Sequence, residues 1–507
     1  MRGKDRLIGW LILLTSFILC FAGLSLKPPH PDEGGNGFFV NQIWENGFYI
    51  YDPQNYHGPL LFYLFQISEK IFGFGIGSFR LVTALFSTLS VWLILRSRDF
   101  WGRYTAFFAA AALALSPGMI FFGRSAIHES AFVFFQILLV TGFLRTKENA
   151  DRKGIIWSFA GLLGCVLLKE TFVILIFSLM LAWGWSDYSH RIVKQMDRKA
   201  EFPPALSLKP ADRSFLLKIF FVCVFVWLAF FTGFFHHLRG ARDFFTALMP
   251  WLKTGVGGSG HDKPFAYWLG LFGRYEWAAL LGLFGAFAGL FGRSWKMRFI
   301  SAFGIVDLLV YSLISYKTPW CIITILWPFV VAAALWIEFI FTRRRDNTVY
   351  WLSWCAVAVI AGQSATSSVR LNFIHYTDPS EPYVYVQTKT DLKDIEDLIK
   401  IKITSAPDAQ NMRVQINMND AWPLPWLFSR FPNVGFGDFR KAFAEKGDVI
   451  FAEVTHEDKD SEGQYWGRVM ALRDARAPIV VYLKKSFFQG INLPGFGPSG
   501  VPEDRGT

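Results

Sequence analysis

Apolar runs of bilayer-crossing length recur through the first 368 residues, each bounded by charged residues or by Pro and Gly. A bilayer core takes about 20 apolar residues as a helix, and fewer where the ends snorkel. On that measure the pattern predicts about eleven spans, near residues 7–26, 80–95, 104–122, 129–144, 154–168, 171–186, 215–234, 277–292, 299–315, 321–341 and 349–368. The first follows Arg2, Lys4 and Arg6, and Ser25-Leu26-Lys27-Pro28 is a poor small-residue cleavage site, so it reads as an uncleaved anchor. The apolar stretch Pro59–Phe74 is interrupted by Glu69 and Lys70 and reads as helix lying along the interface.

From Val369 the period changes. Short β-rich runs at Tyr383–Gln387, Arg413–Met418, Val449–Val454 and Ile479–Leu483 alternate with helical patterns at Asp391–Ile401, Trp422–Phe431 and Phe439–Lys446. Alternation of this kind predicts a small α/β domain with a mainly parallel sheet. The expected fold is therefore an α-helical polytopic membrane domain, residues 1–368, with a first outer loop at 27–79, followed by a C-terminal α/β domain, residues 369–507.

Composition sharpens this picture. Of the 507 residues 52% are hydrophobic and only 18% charged, against about 25% charged in an average soluble domain. Disorder, coiled coil and a soluble multidomain enzyme are excluded. The tail from Val369 holds 17 Lys+Arg and 19 Asp+Glu, net −2, which leaves 34 and 21 before it, net +13. The basic excess thus lies in the apolar part, where it is a topology signal, and no nucleic-acid signature accompanies it. With the N-terminus inside, the inner connections carry 23 of those 34 cations, including Arg343-Arg344-Arg345 and the Arg191–Lys218 stretch. An odd number of spans then places the tail, and the acidic first loop, outside a cell membrane. All five cysteines fall in apolar runs without a CxxC pair, which argues against disulfides and thiolate metal sites.

The expected outer ends of the spans carry ionisable residues that topology does not require, and such residues near a bilayer have work or partners. Asp32 and Glu33, flanked by Pro and Gly, are candidates for a general base and a partner that orients the acceptor or a cation. Arg80, Arg124, Lys169 and Lys317 are candidate ligands of a phosphate. His57, His128 and Glu129 are candidates for a divalent ion or a sugar, with Glu170 beside Lys169. Asp32, Glu33 and His57 are the metal candidates, a divalent cation being the cofactor left open. Plainer readings stand beside these: Asp32-Glu33 as a helix cap, Arg80 as a snorkelling end residue, Lys169-Glu170 as a self-compensating hairpin. An acid loop and a phosphate clamp at a membrane surface suit group transfer from a lipid-linked phosphate donor.

The His30-Pro31-Asp32-Glu33 loop, the Tyr56-His57-Gly58-Pro59-Leu60-Leu61-Phe62-Tyr63 segment and the Arg80-Leu81 span opening resemble the membrane glycosyltransferases of the GT-C fold. In layout they are similar to the dolichyl-phosphate-mannose–protein mannosyltransferases and the undecaprenyl-phosphate aminoarabinose transferases. Ser116-Pro117-Gly118 followed by Arg124 and Glu129 is similar to their third-span exit, where an Asp is more usual. Lys169-Glu170-Thr171, Tyr316-Lys317-Thr318-Pro319-Trp320 and Trp422-Pro423-Leu424-Pro425-Trp426 resemble a flippase-activity-associated family of archaeal N-glycosylation. The resemblance implies Asp32 as the base for inverting attack at an anomeric carbon, Glu33 as its partner, and the donor-handling roles above; His57-Gly58 departs from the Lys-Pro or Pro-Pro of the relatives. The implied partners are the lipid bilayer, a polyprenyl-phosphate sugar donor and a glycan, lipid or protein acceptor. A non-catalytic transporter or flippase component, or a GT-C scaffold, is the alternative, and it does not need Asp32 as a base.

Overall fold

The computed structural model describes residues 3–149, 152–196, 201, 210–255, 261–343, 348–473 and 477–497. Arg344, Arg345 and most of the basic 197–209 stretch lie outside them. Two compact units form: residues 1–24, 42–376 and 381–383 make one, and residues 25–41, 377–380 and 384–507 the other. The second unit therefore includes the segment Ser25–Asn41, which hydropathy alone assigns to the membrane part.

Each expected apolar run is helical. In chain order the helices are α1 (Gly3–Phe21), α2 (Pro31–Asn46), α3 (Leu60–Phe72), α4 (Ile76–Arg96), α5 (Arg103–Leu115), α6 (Pro117–Gly123), α7 (Glu129–Asn149), α8 (Arg152–Leu168), α9 (Phe172–Met196), α10 (Pro210–Phe231), α11 (Trp277–Gly289), α12 (Trp295–Leu313), α13 (Ile322–Arg343) and α14 (Thr348–Val369). Among the described residues six helices are long and apolar enough to cross a membrane, and up to seven if α5 and α6, bent by 58°, form one span. In the Asp212–Phe231 and Thr348–Ile374 segments only 11% is buried in protein; apolar faces so exposed need lipid to cover them. The chain is a multi-pass membrane protein.

Small residues allow the close packing that lipid-embedded helices depend on. α7 and α8 form a hairpin in which a Cβ on Gly161 would stand 2.4 Å from the backbone nitrogen of Leu139, so only glycine fits. The α5/α6 bend has a local cause: the Ser116 side chain accepts from Met119 N as an N-cap, and Pro117 occupies the first helical position. The apolar 59–74 stretch is α3, as expected, but the first loop is more ordered than its sequence suggests, because α2 begins at Pro31. Asp32 and Glu33 thus lie in the first turn of a helix, a correction to their reading as loop residues.

In the second unit, α15 (Asp391–Ser405) packs on a five-stranded sheet of β1 (Arg413–Asn417), β2 (Asn433–Phe436), β3 (Val449–Glu453), β4 (Tyr465–Ala471) and β5 (Pro478–Lys484), in the order β2-β1-β3-β5-β4. Leu392, Ile395 and Leu398 cover Val414, Val449, Phe451 and Val481, while Ile450, Val480 and Tyr482 face the opposite side. β1 pairs in parallel with β2 and β3, but β5 runs antiparallel to both β3 and β4. The sheet is mixed, not mainly parallel, because the short β4–β5 connection only permits reversal. Tyr383–Gln387 is not a strand, and Trp422–Phe431 contains only the short helix Leu424–Leu427. The expected helix at Phe439–Lys446 is a turn instead. The Asp458 carboxylate accepts from Ala442 N and Phe443 N, both at 2.6 Å, and so satisfies the backbone without helix.

Candidate functional site

In the membrane unit five of the candidate residues meet. Tyr56, at φ 47 in the left-handed region, turns the chain so that His57 Nδ1 lies 2.9 Å from Glu170 Oε2. Gly58 N donates to Leu168 O at 3.0 Å, which ties this turn to the end of α8. A Cβ on Gly58 would fall 2.2 Å from Leu167 O, so the departure from Pro at this position is a packing requirement. The His57 ring stands 4.6 Å from that of His128, which begins the turn into α7. Next along the chain, Glu129 accepts a hydrogen bond from Lys169 Nζ, and both side chains are almost fully buried. Lys169 Nζ also lies 3.8 Å from Cys321 Sγ, which is 3.6 Å from Thr318 Oγ1.

The group is thus two acid–base pairs, His57–Glu170 and Lys169–Glu129, joined by His128, whose buried Nε2 has no hydrogen-bond partner among the described residues. Burial of Lys169 and Glu129 is tolerated because the two charges compensate each other within hydrogen-bond distance. Glu170 also lines a pocket walled by Tyr51, Tyr56, Phe172, Phe231 and Phe244. Its lining is aromatic and apolar apart from the Glu170 carboxylate. Cys321 carried no signal of its own in the sequence, since it lies within an apolar run, and Thr318 stood out only as part of the Tyr316–Trp320 motif.

The remaining cations face elsewhere. Arg80 Nη1 donates to Leu24 O at 2.7 Å, and Arg124 donates to Leu19 O at 3.2 Å, to Gly23 O at 2.9 Å and to Ala22 O. These are carbonyls of the last turn of α1 and of the turn that follows it, where a helix end concentrates negative partial charge. Arg124 also stacks on Phe373 at 4.5 Å. Residues 124–128 form a turn and not a helix, so Arg124 and His128 do not share a helical face. Lys317 Nζ donates to Lys263 O at 3.2 Å and to Ile314 O; burial pushes its pKa down, and Asp262 opposes this.

A further carboxylate carried no sequence signal of its own. Glu276, buried at the entry to α11, accepts from Ser116 Oγ at 2.7 Å, Gly118 N at 2.7 Å and Tyr383 OH at 3.2 Å. It stabilises the α5/α6 bend and is structural.

The Asp32 turn belongs to the second unit. Glu33 Oε2 accepts from His30 N at 2.7 Å, the reciprocal half of a capping box. Glu33 is fully buried and its carboxylate is engaged in that cap. His30 Nε2 donates to Tyr385 O at 2.9 Å, which leaves Nδ1 to accept from Asp32 N at 3.1 Å. The Asp32 side chain is 48% exposed. The adjacent acids therefore differ: Glu33 holds the helix start, and Asp32 presents its carboxylate to solvent. Among the described residues no three His, Cys, Asp or Glu side chains gather as a metal's ligands, so Asp32, Glu33 and His57 are not shown to form a cation site.

Comparison with known proteins agrees with this architecture. Residues 56–199 match the family model of dolichyl-phosphate-mannose-protein mannosyltransferases. That stretch holds the whole α3–α9 part of the buried cluster, while Asp32 and Glu33 precede it. No curated protein matches the chain. Among solved structures, ArnT of Cupriavidus metallidurans bound to undecaprenyl phosphate aligns at a TM-score of 0.60 and 13% identity, covering 96% of this chain and 99% of that one. The oligosaccharyltransferase of Archaeoglobus fulgidus, tethered to an acceptor peptide containing the NVT sequon, aligns at a TM-score of 0.55 and 11% identity, covering 87% and 65%. Both are GT-C glycosyltransferases, and the chain has their fold. The family match spans 144 of the 507 residues, and the likeness to the two solved structures is one of fold.

Proposed function

We propose that the chain is an inverting glycosyltransferase that moves a sugar from a polyprenyl-phosphate carrier to a glycan, lipid or protein acceptor on the extracytoplasmic face. The observation that carries the reading is the division of labour at the start of α2: a buried Glu33 consumed by the helix cap beside a half-exposed Asp32. In this reading Asp32 takes the proton of the acceptor hydroxyl or amine. The freed lone pair attacks the anomeric carbon, and the bond from that carbon to the phosphate oxygen breaks. The carrier leaves as prenyl phosphate and the configuration inverts. Glu33 acts through the helix it caps and is a positioning residue.

The donor is assigned to the membrane unit. The Lys169–Glu129 pair offers a cation whose charge is balanced until a phosphate arrives, and His57 beside Glu170 offers an imidazole for hydrogen bonding. Arg80 and Arg124 are engaged with carbonyls at the end of α1 and contribute by fixing that helix end. The undecaprenyl phosphate bound to ArnT supports a lipid phosphate carrier.

The test uses prenyl-phosphate sugars isolated from cells lacking the gene, where an unused donor accumulates. Purified Asp32→Asn protein is expected to bind that lipid as the unsubstituted protein does and to lose at least about 10²-fold in transfer rate. Transfer at the unsubstituted rate would overturn the enzymatic reading and favour a transporter or scaffold.

A further inference from the structure

The helix that carries Asp32 is poorly made by its own sequence. Pro31 opens it, and Gly34, Gly35 and Gly37 fall in its first two turns; each glycine costs about 1 kcal/mol relative to alanine in a helix. Its order therefore comes from what it packs against. A Cβ on Gly34 would lie 2.7 Å from Pro423 Cβ, and one on Gly37 would lie 2.3 Å from Trp426 Cδ1, whereas a Cβ on Gly35 would meet nothing within 4 Å. Gly34 and Gly37, three apart, make one flat face of the helix, and the Trp422–Trp426 segment closes onto it. The rings of Phe38 and Trp422 meet edge to face at 5.9 Å. Upstream, Gln387 Nε2 donates to Pro28 O at 2.8 Å and His30 Nε2 to Tyr385 O at 2.9 Å. Residues 385–387 and 422–426 of the tail thus hold both the approach to the Asp32 turn and the helix behind it.

We propose that the C-terminal α/β domain positions the catalytic carboxylate: Trp422, Pro423 and Trp426, seated on the Gly34–Gly37 face, and the Tyr385 carbonyl, holding His30, fix where Asp32 points. This rests on the reading of Asp32 as the base. The tail's contribution to the reaction is then geometric, and Trp426 and His30 are positioning residues.

The test is a glycine series in the full-length protein, read by amide hydrogen exchange of residues 30–41 and by transfer from the same accumulated lipid. Gly37→Ala should raise exchange across 30–41 at least about tenfold and lower transfer by about 10², the scale of a misplacement near 1 Å. The amides of β1 and β3 should stay protected. Gly35→Ala should leave exchange no faster and transfer within about twofold, because its methyl meets open space while helix propensity rises. Adding Trp426→Leu to Gly37→Ala should restore both readouts, a rescue that general destabilisation does not produce. Equal effects of Gly35→Ala and Gly37→Ala, or no rescue, would overturn the proposal. If Gly37→Ala does not yield folded protein, His30→Ala should loosen residues 30–35 with the sheet amides unchanged; unchanged exchange there would equally overturn it. Asp32→Asn separates the two readings. If it keeps full transfer, the base assignment fails, while the exchange series still decides whether the tail holds α2.

Discussion

Lys169 and Glu129 illustrate, at the scale of the residue, what a membrane protein demands of a buried charge. Their side chains are 8% and 3% exposed and in direct contact. Removing one partner leaves the other uncompensated in a low dielectric, a loss of about 3–5 kcal/mol, whereas removing both is far milder. Glu129→Gln and Lys169→Met should each lower thermal stability in detergent markedly, and the double variant should be more stable than the two losses added together. Strict additivity in that double-mutant cycle would show that the pair is not coupled. At the same scale, Asp32 and Glu33 look alike in sequence, and only their hydrogen bonds separate a helix cap from an exposed carboxylate. Neither role is written in the two-letter motif.

Between elements, short polar links fix segments that hydropathy leaves undefined. Arg274, in the helix Tyr267–Tyr275, donates to Glu381 at 2.9 Å, and the Tyr275 hydroxyl donates to the same carboxylate. Burial pushes the Glu381 pKa up, but the hydrogen bonds from Tyr275 and Arg274 outweigh it and hold the carboxyl below its ordinary range. A carboxyl depressed in the folded state stabilises it above the ordinary pKa, about 4.3 for Glu, and that stabilisation is lost as pH falls through the lower folded value. The amides of residues 376–383 should therefore lose exchange protection, after correction for intrinsic rates, as pH drops below the ordinary carboxylate range. Glu381→Gln should show reduced protection that no longer varies with pH there; an unchanged acid transition in that variant would assign it to another group.

For the whole molecule, the positive-inside asymmetry predicts an extracytoplasmic tail and a cytoplasmic N-terminus. Single cysteines introduced at exposed tail positions such as Lys459 should react in intact cells with a membrane-impermeant maleimide, and one at Lys4 only after permeabilisation. The reverse labelling would invert the proposed site of reaction. The large architecture was legible because its signal is local and strong: a run of apolar residues must bury or meet lipid wherever it lies, and the eleven expected runs are helical, although among the described residues only six, or seven with the bent pair, are long and apolar enough to cross a membrane. The small domain was legible only in outline. The runs at β3 and β5 carry continuous apolar sequence and β1 alternates Val414 and Ile416 with polar residues, whereas β2 is a short edge strand with Gly435, and β4 includes Gly467 and Arg468, which weaken any strand pattern. Of the candidate site, the residue types at His57, His128, Glu129, Lys169 and Glu170 stood out as costly in an apolar setting, but their pairing did not.

By itself the sequence determined that this chain crosses a membrane many times, that its basic excess lies in the apolar part, and that a polar α/β domain follows. Each is set by the period and transfer energy of residues close together in the chain. Tertiary structure decided the rest: which acid caps and which is exposed, which cations meet acids and which meet the carbonyls at the end of α1, and that residues 25–41 pack with a segment nearly 400 positions later. Such contacts depend on distances of a few ångströms between residues far apart in the chain, and no local pattern encodes them.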